Sequence, residues 1–247
     1  MSFTRCALFL FAGLSAACTS KTEPPIPVPR QVVVKTNQPP KLDGSLGDRV
    51  WRLANATRNF VETRRGGVAP LHASAKLLWD EHYLYVGVDV DDRLLRASNT
   101  ERDDHLWKQD CVELMVDPDG DGKSYFEIQV SPRGVIFDTR FEAPRVPRPF
   151  GDTDWDSRAR AGVSLRGDLD DTEADAGYTV EIAIPWQAFS LDGKSLGPPA
   201  IGDEWRANMY VMDLLEDRQQ AAAWSPLGTS DFHVPRRFGI LAFEGQP

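Results

Sequence analysis

The sequence predicts an all-β protein built as one antiparallel β-sandwich domain. Three observations carry that expectation. Short segments rich in β-branched and aromatic residues recur along the chain, clusters of Gly, Pro and Asp punctuate them, and helical periodicity is scarce. In order, the segments are QVVVKT from Gln31, ASAKLLW from Ala73, YLYVGVDV from Tyr83 and DCVELMV from Asp110. They continue as SYFEIQV from Ser124, GVIFDTRF from Gly134, YTVEIAI from Tyr178, EWRANMYVMD from Glu204 and FGILAF from Phe238. One short N-terminal helix is expected at SLGDRVWRLA, Ser45 to Ala54, with Ser45 as its cap and Asp48 in its first turn. No internal repeat interrupts the series.

Ahead of the strands lie two segments of different character. Residues 1–17 read as a secretory signal peptide: Arg5, an apolar run from Ala7 to Leu14, then small residues before Cys18. That run is too short to cross a bilayer as a helix. The ending LSAAC resembles a bacterial lipoprotein box, which makes Cys18 the lipidated N-terminus, although Leu14 stands four residues before the cysteine where three is commoner. Residues 18–30 form a lipid-anchored linker stiffened by Pro24, Pro25, Pro27 and Pro29. The folded domain is then 31–247. The expected location is outside the cytoplasm, as a membrane lipoprotein facing the periplasm or on the cell surface.

Composition narrows the function. With 41% hydrophobic residues, 7 Trp and 12 Phe, the 247-residue chain has apolar material for one sizeable core. A net charge of −9 argues against nucleic acid as a partner, because the phosphate backbone attracts basic surfaces. Cys6 leaves with the signal and Cys18 is lipidated, so Cys111 remains alone and makes no intramolecular bridge. Its place inside a strand suits a packed small hydrophobe better than a nucleophile.

Strand alternation sorts residues onto two faces. Val112, Leu114 and Val116 oppose Cys111, Glu113 and Met115, while Phe126, Ile128 and Val130 oppose Tyr125, Glu127 and Gln129. Trp205, Ala207, Met209 and Val211 oppose Arg206, Asn208 and Tyr210. The first set in each case is the core face. The second is simplest as a solvated face, and alternatively a surface that hydrogen-bonds hydroxyl groups.

The chemical constellations are sparse. DPDGDG places Asp117, Asp119 and Asp121 at alternate positions, like the opening of a calcium loop, with Gly122 following. The twelfth position is Ile128 and the flanks are strands, so an EF-hand is excluded. A Gly-rich turn and a calcium site both remain open. Glu113, Glu127 and Glu181 lie on second faces, but no neighbouring residues mark one of them as a proton donor for glycoside hydrolysis. The 4 histidines, His72, His82, His105 and His233, have no zinc spacing, and hydrolase, phosphate-loop and dinucleotide motifs are missing. Met115, Met209 and Met212 are available for a heme, yet Met209 reads as core-facing. By contrast, Trp107 and Phe232 sit in polar loops, where a ring buries area only when something covers it. Sugars do so, stacking C–H faces on rings while their hydroxyls reach amides and carboxylates.

Seven stretches in order resemble the family 9 carbohydrate-binding modules, from about Lys41 to Phe243: LDGSLGDRVWRLA, LLWDEHYLYVGVDVDD, LWKQDCVELMVDPD, GYTVEIAIPW, GDEWRANMYVMD, AWSP and VPRRFGILAF. The resemblance implies an immunoglobulin-like or jelly-roll sandwich that binds an oligosaccharide or polysaccharide, often at a chain end, without cleaving it. It implies Trp107 and Phe232 as the rings that hold the sugar, with Glu113, Gln129 and Asn208 as its polar contacts. Gln129 stands where some members have arginine and Phe232 where tryptophan is the broader platform. Structural calcium is implied as well, without a fixed ligand set.

Overall fold

The computed structural model describes residues 27–191 and 193–246. The signal segment, Cys18 and most of the Pro-rich linker lie outside these. Among the described residues fourteen strands occur: β1 (Arg30–Lys35), β2 (Val61–Glu62), β3 (Ala73–Trp79), β4 (Tyr83–Val90), β5 (Cys111–Asp117), β6 (Tyr125–Val130) and β7 (Ile136–Phe141) come first. They are followed by β8 (Arg160–Arg166), β9 (Gly177–Pro185), β10 (Ser190–Leu191), β11 (Lys194–Ser195), β12 (Glu204–Leu215), β13 (Arg218–Ala223) and β14 (Gly239–Glu244).

Ten of them form one continuous path, β7-β6-β5-β12-β14-β1-β3-β4-β9-β8. The path folds back on itself as a sandwich, because one apolar cluster takes residues from both halves. Val112, Leu114, Ile128, Met209 and Val211 from one half meet Leu77, Val86, Val88, Val180 and Ile182 from the other. The inward residues are those that alternation assigns to the core. Most pairings are antiparallel, but β1 joins β14 and β3 in parallel, which corrects the expectation of a purely antiparallel sandwich. Period-two patterning reports which face of a strand is apolar and says nothing about the direction of its neighbours.

Five strands were not evident as segments: β2, β10 and β11 are two residues each, β8, RAGVSLR, has only a short alternation of Ala161, Val163 and Leu165, and β13, RQQAAA, is poor in β-branched residues. Each is held by its partner: β13 pairs with β12 from Tyr210–Ala223 to Leu215–Arg218, so hairpin register overrides propensity.

The short N-terminal helix also needs correction. This stretch makes only a short 3-10 helix, Arg49–Leu53, closed by Trp51 N donating to the Asp48 carbonyl. Asp48 makes no side-chain cap, and Ser45 Oγ instead accepts from Gly47 N. The reason is tertiary. Trp51 is fully buried, its Nε1 donates to Glu181 Oε1 at 2.7 Å, and Gly44 N donates to Glu181 Oε2 at 2.7 Å. A Cβ on Gly87 would lie 2.3 Å from Leu46 Cδ2 and 3.2 Å from Trp51, so the missing side chain gives this segment room to lie flat on β4. Docking selects the conformation, and Glu181 serves structure.

Candidate functional site

Register places a polar row across the outer face of one half of the sandwich. Tyr210 on β12 lies opposite Glu113 on β5, Glu113 opposite Gln129 on β6, and Gln129 opposite Phe137 on β7. The next row is Asn208, Met115, Glu127 and Thr139. Adjacent strands lie only about 4.8 Å apart, so same-face side chains touch. Gln129 Nε2 donates to Glu113 Oε2 at 3.2 Å and to Glu127 Oε1 at 2.6 Å, while Cys111 Sγ faces Gln129 Oε1 at 3.8 Å. The amide is consumed by the two carboxyls that flank it.

This face is not solvated, as parity alone suggested. Loops fold over it and leave a cavity of about 260 Å³. Trp107, Phe137, Phe150, Phe232, Glu113 and Arg145 are among its walls. The volume is close to the lower bound of roughly 300 Å³ for small-ligand sites, which suits one or two rings better than a long chain. Trp107 belongs to a 3-10 helix, Leu106–Lys108, and is half-buried. It stacks on His105 at 4.4 Å between centroids and meets Phe137 and Phe150 at 5.1 Å each. Its carbonyl also accepts from the Gln219 amide. Phe232 lies almost parallel to Tyr210, 4.8 Å away, and its carbonyl accepts from the Tyr210 hydroxyl at 3.0 Å. Four of the five anticipated residues thus line one cavity.

Asn208 does not. Its Nδ2 donates to the Ser225 carbonyl at 2.9 Å, and its Oδ1 accepts from Ser225 N at 2.8 Å and Met209 N at 3.0 Å. It is fully buried and pins the chain after β13 to β12. In its place the structure brings in Glu127, Arg145 and His233, none of which was assigned a binding role. Glu127 was identifiable from parity; Arg145 lies in an irregular loop that periodicity does not reach.

Electrostatics follow from burial. Glu113 and Glu127 are almost wholly inaccessible. Desolvation pushes the Glu113 carboxyl well above the usual carboxylate range, with the Glu127 charge adding to it. Desolvation likewise raises Glu127, to about 7, against the lowering influence of the Gln129 hydrogen bond and the Arg145 charge. Acids with raised affinity for protons are therefore present, contrary to the sequence-based expectation, because burial of second-face residues is set by loops. His233 is driven down to about 4 by desolvation and by Arg145, so it is neutral at pH 7. Its Nε2 stands 3.9 Å from Glu127 Oε2, and its Nδ1 is 2.7 Å from the Tyr125 hydroxyl. Arg145 is committed to Asp231, at 2.7 and 2.9 Å. Among the described residues Glu113 Oε1 has no hydrogen-bond partner.

With this geometry in place, comparison with known proteins is decisive for the family. The model of the carbohydrate family 9 binding domain-like family matches residues 42–246. The chain belongs to this family. The exoglucanase XynX of Acetivibrio thermocellus is 28% identical over 221 residues, 89% of this chain but 18% of that protein. The endo-1,4-beta-xylanase A of Thermotoga maritima is 28% identical over 209 residues, 82% of this chain and 17% of the xylanase. This chain therefore spans less than a fifth of either relative. Among solved structures, a family 9 carbohydrate-binding module from Caldicellulosiruptor kristjanssonii in complex with cellotriose superposes with a TM-score of 0.61 at 22% identity, covering 88% of this chain and 95% of that one. A Bacteroides uniformis protein superposes with a TM-score of 0.69 at 21% identity, covering 88% of this chain and all of that one. These likenesses establish the fold.

This family 9 domain carries two acidic clusters whose fit to calcium can be judged from their own atoms. In DPDGDG, Asp117 Oδ1 accepts from Gly120 N at 2.9 Å and Oδ2 from Gly122 N at 3.0 Å. Gly122 has φ +80°, so the turn requires glycine there. Asp119 and Asp121 are exposed, and both carboxyls accept from loop amides. Those bonds account for the loop as a turn. The second cluster, Asp92, Asp110 and Asp213, was not anticipated. All three are buried, and ligand oxygens of the three lie within 4.8 Å of one another. Asp92 Oδ2 and Asp213 Oδ1 have no hydrogen-bond partner. Desolvation raises Asp92 to about 6, with Asp213 adding, and Asp110 to about 9, with Asp92 adding. Buried, mutually repelling oxygens with open lone pairs suit a hard divalent cation. Only topology unites them, since they follow β4, precede β5 and lie in β12.

The remaining sequence-level possibilities resolve geometrically. Met209 lies in the central core, Met115 in the cluster around Tyr210 and Phe238, and Met212 beside Phe137. They are dispersed over three clusters, which gives no support to a heme site. Cys111 is fully buried and burial pushes its thiol up, as a packed thiol requires.

Proposed function

We propose that this family 9 domain is a non-catalytic carbohydrate-binding module that holds the end of a sugar chain in the cavity floored by Glu113. The observation that carries the reading is the combination of an aromatic-walled cavity with a buried carboxyl oxygen, Glu113 Oε1, that lacks a donor. A sugar hydroxyl supplies that donor, and ring C–H faces cover Trp107 and Phe232. The related modules from Caldicellulosiruptor kristjanssonii hold cellotriose and glucose, so β-linked glucose chains are the first ligands to try. The test is calorimetric titration with glucose and cellotriose. Saturable binding supports the reading; its absence for a broad set of oligosaccharides refutes it.

Hydrolysis is the second reading, raised by the two proton-avid carboxyls. A glycosidase needs one carboxyl protonated and the other ionised on either side of the scissile bond. Here burial moves both in the same direction, and both lie beneath one amide. That arrangement favours binding. Sustained release of reducing sugar that disappears in Glu113→Gln would establish hydrolysis instead.

Two further features complete the proposal. Calcium is assigned to Asp92, Asp110 and Asp213 ahead of Asp117, Asp119 and Asp121, supported by the open oxygens of the buried trio. The module is displayed on a bacterial envelope through lipidated Cys18, supported by the apolar run before LSAAC and by the prolines that follow it. The membrane contact is then the anchor alone, and polysaccharide is the partner.

A further inference from the structure

We propose that the sugar end preferred by this cavity carries a positively charged amine, so that the module discriminates amino sugars from neutral ones. The inference rests on the carbohydrate-binding reading and adds a ligand class to it.

Two carboxyls, Glu113 and Glu127, are buried side by side at the base of the cavity, joined by one amide and not by a cation. Gln129 has spent both of its N–H groups on them. Among the described residues no cation contacts Glu113 directly, although the Arg145 charge acts on both carboxyls from a distance. Arg145 is held by Asp231 at 2.7 and 2.9 Å, and neutral His233 leaves 3.9 Å between its Nε2 and Glu127 Oε2. Glu113 Oε1 is left fully buried with nothing donating to it.

A neutral hydroxyl satisfies that oxygen as a hydrogen-bond acceptor but leaves the carboxyl pair in the proton-rich form that burial favours, with its negative charge offset only in part by Arg145. An ammonium group satisfies the oxygen and offsets the charge, since it has three donors and a full charge in a site where the dielectric is low. Bridging the two carboxyls, it would donate to Glu127 Oε2 and, once the Glu113 carboxyl turns towards the cavity, to Glu113 Oε1, which is closed to solvent here. The aromatic walls do not oppose this, because a cation near Trp107 or Phe232 is attracted to the ring faces. Because the binding-site amide that stands here is Gln129, the cation has to come from the ligand. An arginine at this position would have supplied the countercharge from within the protein.

The experiment compares cellotriose with the β-1,4-linked glucosamine trimer, which has the same linkage and an amine in place of each 2-hydroxyl. The fully N-acetylated trimer serves as a neutral control. Titrations are run calorimetrically at about pH 7, still below the ordinary amine range, so the glucosamine rings are largely charged while Glu127 is about half ionised. The glucosamine trimer should bind at least about tenfold tighter than cellotriose, as expected for one charge-assisted hydrogen bond in a desolvated site. N-acetylation should remove the advantage, and Glu127→Gln, confirmed as folded by its thermal transition, should shrink the glucosamine-to-cellotriose ratio. Raised salt should weaken the glucosamine trimer only slightly, which separates a buried contact from attraction to the net negative surface. Equal or weaker binding of the glucosamine trimer, with cellotriose still binding, overturns this inference and leaves the carbohydrate reading intact. Binding of none of the three overturns both.

Discussion

Trp107, Glu113 and Asn208 look equally exposed to function in the sequence, and the structure gives them different duties. Trp107 forms part of the cavity wall and stays outside the central apolar cluster. Trp107→Ala is expected to weaken sugar binding by roughly tenfold to a hundredfold, taking stacking as worth about 1–3 kcal/mol per ring. The same change should cost only about 1–2 kcal/mol of stability, because the ring is half-buried. Asn208→Ala should behave in the opposite way. It strands the buried N–H and C=O of Ser225, at about 1–3 kcal/mol for each unsatisfied group, so denaturant unfolding shifts while affinity per folded molecule is retained. Parity told which face Asn208 occupies. It did not tell that Ser225, 17 residues on and just past β13, would claim that amide, since Ser225 and Asn208 meet only through hairpin closure.

A proton balance at Glu127 belongs to the same scale. Its carboxyl is raised from 4.5 to about 7 by burial. The folded protein therefore keeps a proton across that window after the unfolded chain has released it, so stability from this group is present at the acidic end and falls as pH rises from about 4.5 towards 7. Replacing it by glutamine removes the titration. Glu127→Gln should thus gain relative to wild type in thermal transition temperature as the pH is raised through this window. A difference that stays constant across the window would show that Glu127 titrates normally.

At the scale of elements, the sandwich depends on where strands end. Asp92 follows β4, Asp110 precedes β5 and Asp213 lies within β12, so one cation would tie three strands of two sheet halves together. Chelation is expected to lower the thermal transition by roughly 5–10 °C, taking about 2.7 kcal/mol for a ligand at a hundredfold excess over its dissociation constant. Asp213→Asn should abolish the calcium response and Asp119→Ala should leave it. The reverse pattern would move the ion to the DPDGDG turn. Strand segments and their inward residues were legible because alternation is written locally, as in CVELMV and WRANMYV. The N-terminal helix and the parallel joins of β1 were not, because docking on Glu181 and Gly87 and pairing with β14 are contacts distant in sequence.

For the whole molecule, the apolar run and LSAAC predict an anchor that leaves the folded domain free to meet polysaccharide. Cys18→Ser should shift the protein from the membrane to the soluble fraction or stall its processing. Unchanged membrane association would remove lipidation from the description. The family was legible from ordered motifs, whereas the cavity's two-acid floor emerged only once loops closed over the second face.

Calorimetric titration of the wild type and Trp107→Ala side by side, with cellotriose and the glucosamine trimer, tests the cavity most directly. Saturable one-site binding is expected in the wild type, weakened at least about tenfold in a variant that remains folded by its thermal transition. Undiminished affinity in folded Trp107→Ala would place carbohydrate binding elsewhere on the molecule.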